Sequence, residues 1–311
     1  MDRLSVVISA YNEEERLPAC LHSVSFADEI IVIDNESSDR TAAIAKRSKA
    51  KVYTRPNNLM LNMSKNFGFS KATGDWILNL DADEQVTPDL ETEIKGVLAN
   101  PPKDIVGFAI PRKNIIFGKW MQHTGWYPDY QLRFFRKGKG KFAEQHVHEQ
   151  IAVEGRVDCL DHALLHENYQ SVHQFLHKLF TIYAQNEAEN ILRQETGNEE
   201  KAGLWSPYTF RWQDAVTASF REFAQRFYVQ KGYKDGVHGL MLSILMAFYH
   251  FVVYTYVWEK EKFVDENRSV LKDSADFEIQ KELRYWKLTA DIEEEQNGLK
   301  KNYLRLKRRV S

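Results

Sequence analysis

The sequence predicts an α/β fold, a mostly parallel mixed sheet flanked by helices, with a C-terminal helical region. Three observations predict it. Short apolar runs of strand length alternate with helical segments through the N-terminal part. Several of those runs end in carboxylates, as strands do at the ligand-binding edge of an open α/β sheet. From Ser171 onward the texture changes to long helical stretches.

Taken in order, Leu4 to Ala10 reads as a buried first strand, followed by the polar turn Tyr11-Asn12-Glu13. From Glu13 to Val24, Leu17, Cys20, Leu21 and Val24 share one helical face. A second strand, Glu29 to Ile33, ends at Asp34, and Ser38 or Asp39 is placed to cap a helix from Arg40 to Lys49. Lys51 to Thr54 is a third strand, and Met60 to Thr73 a helix broken by Gly74-Asp75. The fourth strand, Trp76 to Leu80, is apolar on both faces and runs into Asp81-Ala82-Asp83-Glu84. On an ideal strand Asp81 and Asp83 point the same way, and a hard divalent cation relieves the repulsion between them.

Pro88 opens a helix over Asp89 to Leu98. Ile105 to Ile116 reads as a strand or hairpin pair, and Tyr130 to Arg136 as a strand. Long helices are expected over Val172–Arg193, Phe210–Lys231 and Val237–Lys262, then a charged, helix-favouring tail from Asp273 to Arg309. The expected division is a catalytic domain over 1–168, a helical and membrane-associating region over 169–265, and a charged helical tail over 266–311.

Composition narrows the function classes. Hydrophobic content of 43% and charged content of 28% are those of a globular protein, and a net charge of −2 gives no global field for nucleic acid. The two cysteines, Cys20 and Cys159, form no metal-spaced pair, and no secretory signal opens the sequence. Gly239 to Trp258 holds no Asp, Glu, Lys or Arg across 20 residues, long enough to span a bilayer, to lie in its interface or to form a buried core helix. Just before it, Arg221, Arg226, Lys231 and Lys234 are interleaved with aromatic residues, a composition attracted to anionic membrane. His162/His166 and His173/His177 have the i, i+4 spacing that binds zinc on a helix, but without H-E-x-x-H they read better as cleft or packing residues.

The strand ends carry the chemistry. Glu13, Asp34, Asp81 and Asp83 follow strands one, two and four, and neither G-x-G-x-x-G nor a P-loop accompanies them. A metal could then neutralise a diphosphate in place of a glycine-rich loop. For Asp34 alone, a turn role and a ligand role are both open. Four segments in this order, Val6-Val7-Ile8-Ser9-Ala10-Tyr11-Asn12-Glu13-Glu14, Ile30 to Thr41, Lys65-Asn66-Phe67-Gly68 and Leu80-Asp81-Ala82-Asp83-Glu84, resemble the family-2 inverting glycosyltransferases of GT-A (Rossmann-like) fold. Asp129 to Arg136, Val147-His148-Glu149 and Tyr228 to Gly239 resemble the bacterial lipopolysaccharide-core glucosyltransferase-like branch.

The resemblance implies that Ala10, Tyr11 and Glu13 line the nucleotide, with Asp34 on the base. It places Lys65 and Asn66 near the diphosphate or sugar, Asp81 on the ribose or donor sugar, and Asp83 on Mn²⁺ or Mg²⁺. Many relatives take the acceptor proton with the Asp of a Glu-Asp pair; the similar place here reads His148-Glu149, making Glu149 the expected base, ahead of Asp129 and then Glu144. His148 and Arg133 are expected on the acceptor side, and the Arg112 to Pro128 loop to wall the sugar pocket. The implied partners are a UDP-sugar donor, a lipid-linked glycan or lipopolysaccharide acceptor and a membrane surface, with no nucleic acid; a homo-oligomer is compatible. A polyprenyl-phosphate acceptor or an inactive membrane scaffold are the alternatives. The implied location is cytoplasmic, peripheral on the inner face of the inner membrane.

Overall fold

The computed structural model describes residues 1–57, 61–143, 150–196, 211–263 and 271–309. Two compact units emerge from the packing: residues 1–116 with 127–168, and residues 117–126 with 169–311.

The first unit is built on a seven-stranded sheet. Its parallel strands include β1 (Leu4–Ala10), β2 (Glu29–Asp34), β3 (Lys51–Thr54) and β4 (Trp76–Asp81). Helices α1 (Leu17–Ser23), α2 (Thr41–Arg47) and α3 (Leu61–Lys71) connect them. After β4 come β5 (Glu84–Val86), α4 (Pro88–Ala99), β6 (Ile105–Ile110) and β7 (Arg112–Ile116). The short strand β8 (Lys119–Trp120) belongs to the second unit; β9 (Gln131–Arg136), β10 (Gly140–Lys141), β11 (Ala152–Val153), β12 (Arg156–Cys159) and β13 (Leu164–Tyr169) complete the strands. The sheet order is β12-β6-β9-β4-β1-β2-β3, with β9 antiparallel to both β4 and β6. One face is packed by Leu17, Cys20, Leu90 and Ile94, the other by Phe69 of α3 and Ala72 just after it, with Phe142 and Ile151. A sheet covered on both faces explains the near-continuous apolar runs of β1, β2 and β4.

Three local expectations are corrected. The first helix starts at Leu17 rather than Glu13, because Pro18 sits in its first turn and Glu13 to Arg16 form the preceding turn. Ile105 to Ile116 is no hairpin: Pro111, which has no N–H for a ladder, ends β6, and β7 joins a different sheet. Residues 161–166 are a bend followed by strand β13, so His162 and His166 do not share a helix.

The second unit is helical. It contains α5 (Val172–Lys178), a π-helical turn over Leu179–Tyr183, α6 (Ala184–Thr196), α7 (Trp212–Ala224), a second π turn over Gln225–Val229 and a 3₁₀ turn over Gly232–Asp235. α8 (Val237–Lys260), α9 (Leu271–Glu294) and α10 (Gly298–Arg309) follow. α8 packs on α6 and α7, with Val253 and Val257 buried against Ala184 and Ala188. It is long and apolar enough to cross a membrane by length and composition, and Met241, Ile244, Phe248 and Phe251 line one exposed face of it. Segment 117–126 is captured by Asp235, which is 3% exposed and accepts from the Gln122 and His123 amides at 3.3 and 2.9 Å and from Thr124 Oγ1 at 3.0 Å.

The cationic and aromatic stretch before α8 is engaged internally. Arg221 pairs with Glu282 at 3.1 Å, Arg226 with Glu222 at 2.5 Å and Lys231 with Glu294 at 3.8 Å. Arg221 and Lys231 thereby reach α9, Arg226 pairs within its own helical stretch, and Lys234 is exposed.

Candidate active site

The parallel strands β1, β2 and β4 end at one edge of the sheet. There the turns after β1 and β2 are laced together. The Asn12 amide donates to Ser37 Oγ at 3.0 Å, Asn12 Oδ1 accepts from the Ser38 amide at 2.8 Å, and the Glu13 amide donates to Thr41 Oγ1 at 2.8 Å. Ala10 is buried, Tyr11 is exposed, and the Glu13 carboxylate pairs with Arg16 at 3.2 Å. Asp34 is buried and accepts from the Ser37 amide at 3.4 Å, so it serves its own turn.

Next along the edge lies an ion-paired cluster. Asp81 Oδ1 is 2.6 Å from Lys65 Nζ, and Asp81 Oδ2 is 2.6 Å from Arg133 Nη2. Arg133 also reaches Glu84 Oε1 at 2.7 Å, and Glu84 is fully buried. Arg112 meets the same Glu84 oxygen at 3.3 Å and pairs with Asp129. Burial works to raise the Asp81 pKa, but Lys65 and Arg133 outweigh it and hold the group well below the usual carboxylate range. Arg133 is therefore not on an acceptor surface. It is 6% exposed and stands behind the acidic turn.

Asp129 is saturated with donors: Arg112, Asn114 Nδ2 at 3.2 Å and Gln131 Nε2 at 2.9 Å. Burial opposes its ionisation, yet Arg112 and these hydrogen bonds keep its pKa lowered. Such a carboxylate is a poor proton acceptor, and the geometry speaks against Asp129 as the base.

The acidic turn splits its two aspartates. Asp81 is the last residue of β4, Ala82 and Asp83 form a turn, and β5 begins at Glu84, so the two carboxylates have different partners. β5 pairs antiparallel with β13, setting His166 opposite Glu84, and the Glu167 amide donates to the Asp83 carbonyl at 3.0 Å. That register brings His166 Nε2 to 3.6 Å from Asp83 Oδ2. The sequence pointed to His166 only as half of a helical pair. Its usable signal is an inward-facing histidine in the alternating run Leu164 to Tyr169.

The orientation of His166 follows from its neighbours. The Asp129 carboxylate only accepts, so Asn114 turns its amide nitrogen there and presents Oδ1 to His166 Nδ1 at 2.7 Å. Nδ1 then carries the proton. In that tautomer the lone pair of Nε2 faces Asp83 Oδ2, so the ring nitrogen and the carboxylate oxygen can both reach an ion placed between them. Lys65, Arg112 and Arg133 pair with Asp81, Glu84 and Asp129, and Asp83 stands beside this cluster facing His166. Asp83 and His166 thus fit a divalent ion, as an oxygen and a nitrogen donor with a second shell in place. Among the described residues no group of three metal-ligating side chains occurs.

Asn66 has a different part from the expected one. Its amide closes a double hydrogen bond with the Phe142 backbone, both arms 2.9 Å. Glu144, His148 and Glu149 lie outside the described residues.

Residues 5–152 match the model of the glycosyl transferase family 2. This is a family-2 glycosyltransferase domain. An uncharacterised glycosyltransferase of Rickettsia typhi is 27% identical to the chain over 264 residues, 81% of this chain and 85% of that protein. The lipopolysaccharide core biosynthesis glycosyltransferase LpsC of Rhizobium meliloti is 30% identical over 161 residues, 50% of this chain and 58% of its own length. Among solved structures, TarS 1-349 of S. aureus in complex with UDP-GlcNAc aligns with a TM-score of 0.44 at 17% identity, covering 95% of this chain and 93% of that one. The family-2 domain has the mixed, mostly parallel GT-A sheet, its acidic turn at the C-terminal end of β4.

Proposed function

We propose that this family-2 glycosyltransferase is an inverting, metal-dependent hexosyltransferase that uses a UDP-sugar. Its acceptor would be a hydroxyl of a lipid-linked or lipopolysaccharide-type glycan. The observation that carries the reading is the approach of His166 Nε2 to Asp83 Oδ2, at 3.6 Å, beside the ion-paired cluster at the end of β4. The laced turns after β1 and β2 would hold the nucleoside, with Tyr11 exposed there for stacking and Asp34 at the base end. Lys65 and Arg133 would keep Asp81 ionised and fixed, so the edge does not rearrange when a diphosphate arrives. Asp83 and His166 would hold Mn²⁺ or Mg²⁺, which neutralises charge on the departing diphosphate. With Asp129 saturated, Glu149 is assigned as the base that takes the acceptor proton. The likeness to LpsC over half the chain supports the acceptor class, as does the exposed apolar face of α8, which fits a peripheral position on the cytoplasmic membrane face.

A nucleotide-sugar hydrolysis panel, with and without Mn²⁺ or Mg²⁺, tests donor and metal together. UDP-sugars hydrolysed only with metal, and not by Asp83→Ala, is the expected result. Metal-independent turnover untouched by that substitution would overturn the reading.

A further inference from the structure

The twelve residues of α10 include six lysines and arginines and no acid, in a chain whose net charge is −2. The helix folds back on α9: Arg308 Nη1 donates to Thr289 Oγ1 at 3.2 Å and its guanidinium lies over Tyr285. Lys301, Leu304 and Arg308 are half-buried on that side. At 3.6 residues per turn, Leu299, Tyr303 and Leu306 fall within roughly 60° of one another on the opposite side. They are 85%, 62% and 62% exposed. On the same helical projection Lys300 and Lys307 flank this stripe on one edge and Arg305 on the other, all exposed.

We propose that α10 is a membrane-surface element, docking its Leu299-Tyr303-Leu306 stripe into the interface of an anionic bilayer while its flanking cations pair with lipid phosphates. The long basic side chains can lay their stems along the apolar stripe and keep their charges at headgroup level. Nucleic acid would use the cations and leave both leucines in water, so the combination favours lipid. The cations Arg221, Arg226 and Lys231 pair with glutamates, and Lys300 pairs with Glu295 at 2.7 Å, so Lys307 and Arg305 are the flanking cations that α10 offers to lipid beside its apolar stripe. α8 offers an apolar face without flanking charge, and binding through it would be indifferent to lipid charge. The inference rests on the proposed function for its setting, since a membrane-borne acceptor gives the contact its purpose.

Flotation of the full chain with vesicles of phosphatidylcholine alone, or with phosphatidylglycerol added, tests it. Capture is expected on the anionic vesicles and to fall with salt. Removing two flanking charges in Arg305→Gln/Lys307→Gln should weaken it by roughly 25-fold, at about fivefold per charge. Leu299→Ser/Tyr303→Ser/Leu306→Ser should abolish it, with helix content unchanged by circular dichroism. Equal capture on neutral vesicles, unchanged capture of both variants, or retention on a nucleic-acid column without vesicle capture would overturn it. Donor hydrolysis without acceptor, run on the same proteins, reports the catalytic domain separately. Its absence beside intact vesicle capture would remove the glycosyl-transfer reading and leave α10 standing.

Discussion

Arg133 on β9 donates from Nη2 to Asp81 Oδ2 at 2.6 Å across 52 positions of sequence, and the same nitrogen reaches Glu84 Oε1 at 2.7 Å. One buried cation therefore holds together two carboxylates at the end of β4. This makes the acidic turn a rigid feature of the sheet edge, anchored from behind.

Removing that cation is expected to be costly. Arg133→Met should destabilise the first unit by about 3–5 kcal/mol, since Glu84 would be buried with only the more distant Arg112 for compensation. Arg133→Met/Glu84→Gln should recover part of the loss. Denaturant titrations of the two variants check this, and additive losses would contradict the coupling.

The metal assignment separates three neighbouring residues. His166→Ala and Asp83→Ala should each weaken Mn²⁺ binding, by roughly 10-fold or more in calorimetry, because each removes a donor. Asp129→Asn keeps an acceptor facing Asn114 and is expected to retain turnover to within about tenfold. Glu149→Gln should lose transfer by a factor on the order of 10² to 10⁴ while still binding donor. A reversal between Asp129 and Glu149 would exchange their roles.

Acid sensitivity should trace to Glu29. Its burial alone would raise the pKa, but hydrogen bonds from Lys51, Ser5 and Thr73 hold it at about 2, below the ordinary 4.5. A depressed folded pKa means stability that is present above pH 4.5 and lost as pH falls towards 2, on the order of 1–2 kcal/mol once solvent screening at the half-exposed Lys51 is allowed for. Glu29→Gln should flatten the stability profile across that window. An unchanged slope between pH 4.5 and 2 would show that other carboxylates set it.

Two glycine substitutions should act in opposite directions. A Cβ on Gly239 would lie 1.8 Å from the Gly232 carbonyl oxygen, so Gly239→Ala should destabilise the helical unit by about 3 kcal/mol or more. Gly96, exposed within α4, meets nothing within 4 Å, and Gly96→Ala should stabilise by about 1 kcal/mol. Thermal melts of both proteins give the signs directly.

The sequence by itself determined the order of elements in the first unit and the edge at which the chemistry gathers. Strands β1, β2 and β4 are runs whose apolar pattern has one satisfactory burial, between two covering layers, and the carboxylates at their ends stay at the sheet edge, held by turn amides or ion pairs. The four motifs were likewise legible as a set, because each is local in sequence. Tertiary structure decided what each charge does. Arg133 reads as an acceptor-side residue until β9 inserts antiparallel between β4 and β6 and pairs it with Asp81. Asp129 reads as a candidate base until Arg112, Asn114 and Gln131 converge on it. His166 became a neighbour of Asp83 only through the β5–β13 register, which no local pattern encodes. Proton affinity and metal affinity depend on charges within a few ångströms, and in this chain those charges come from residues up to 83 positions apart.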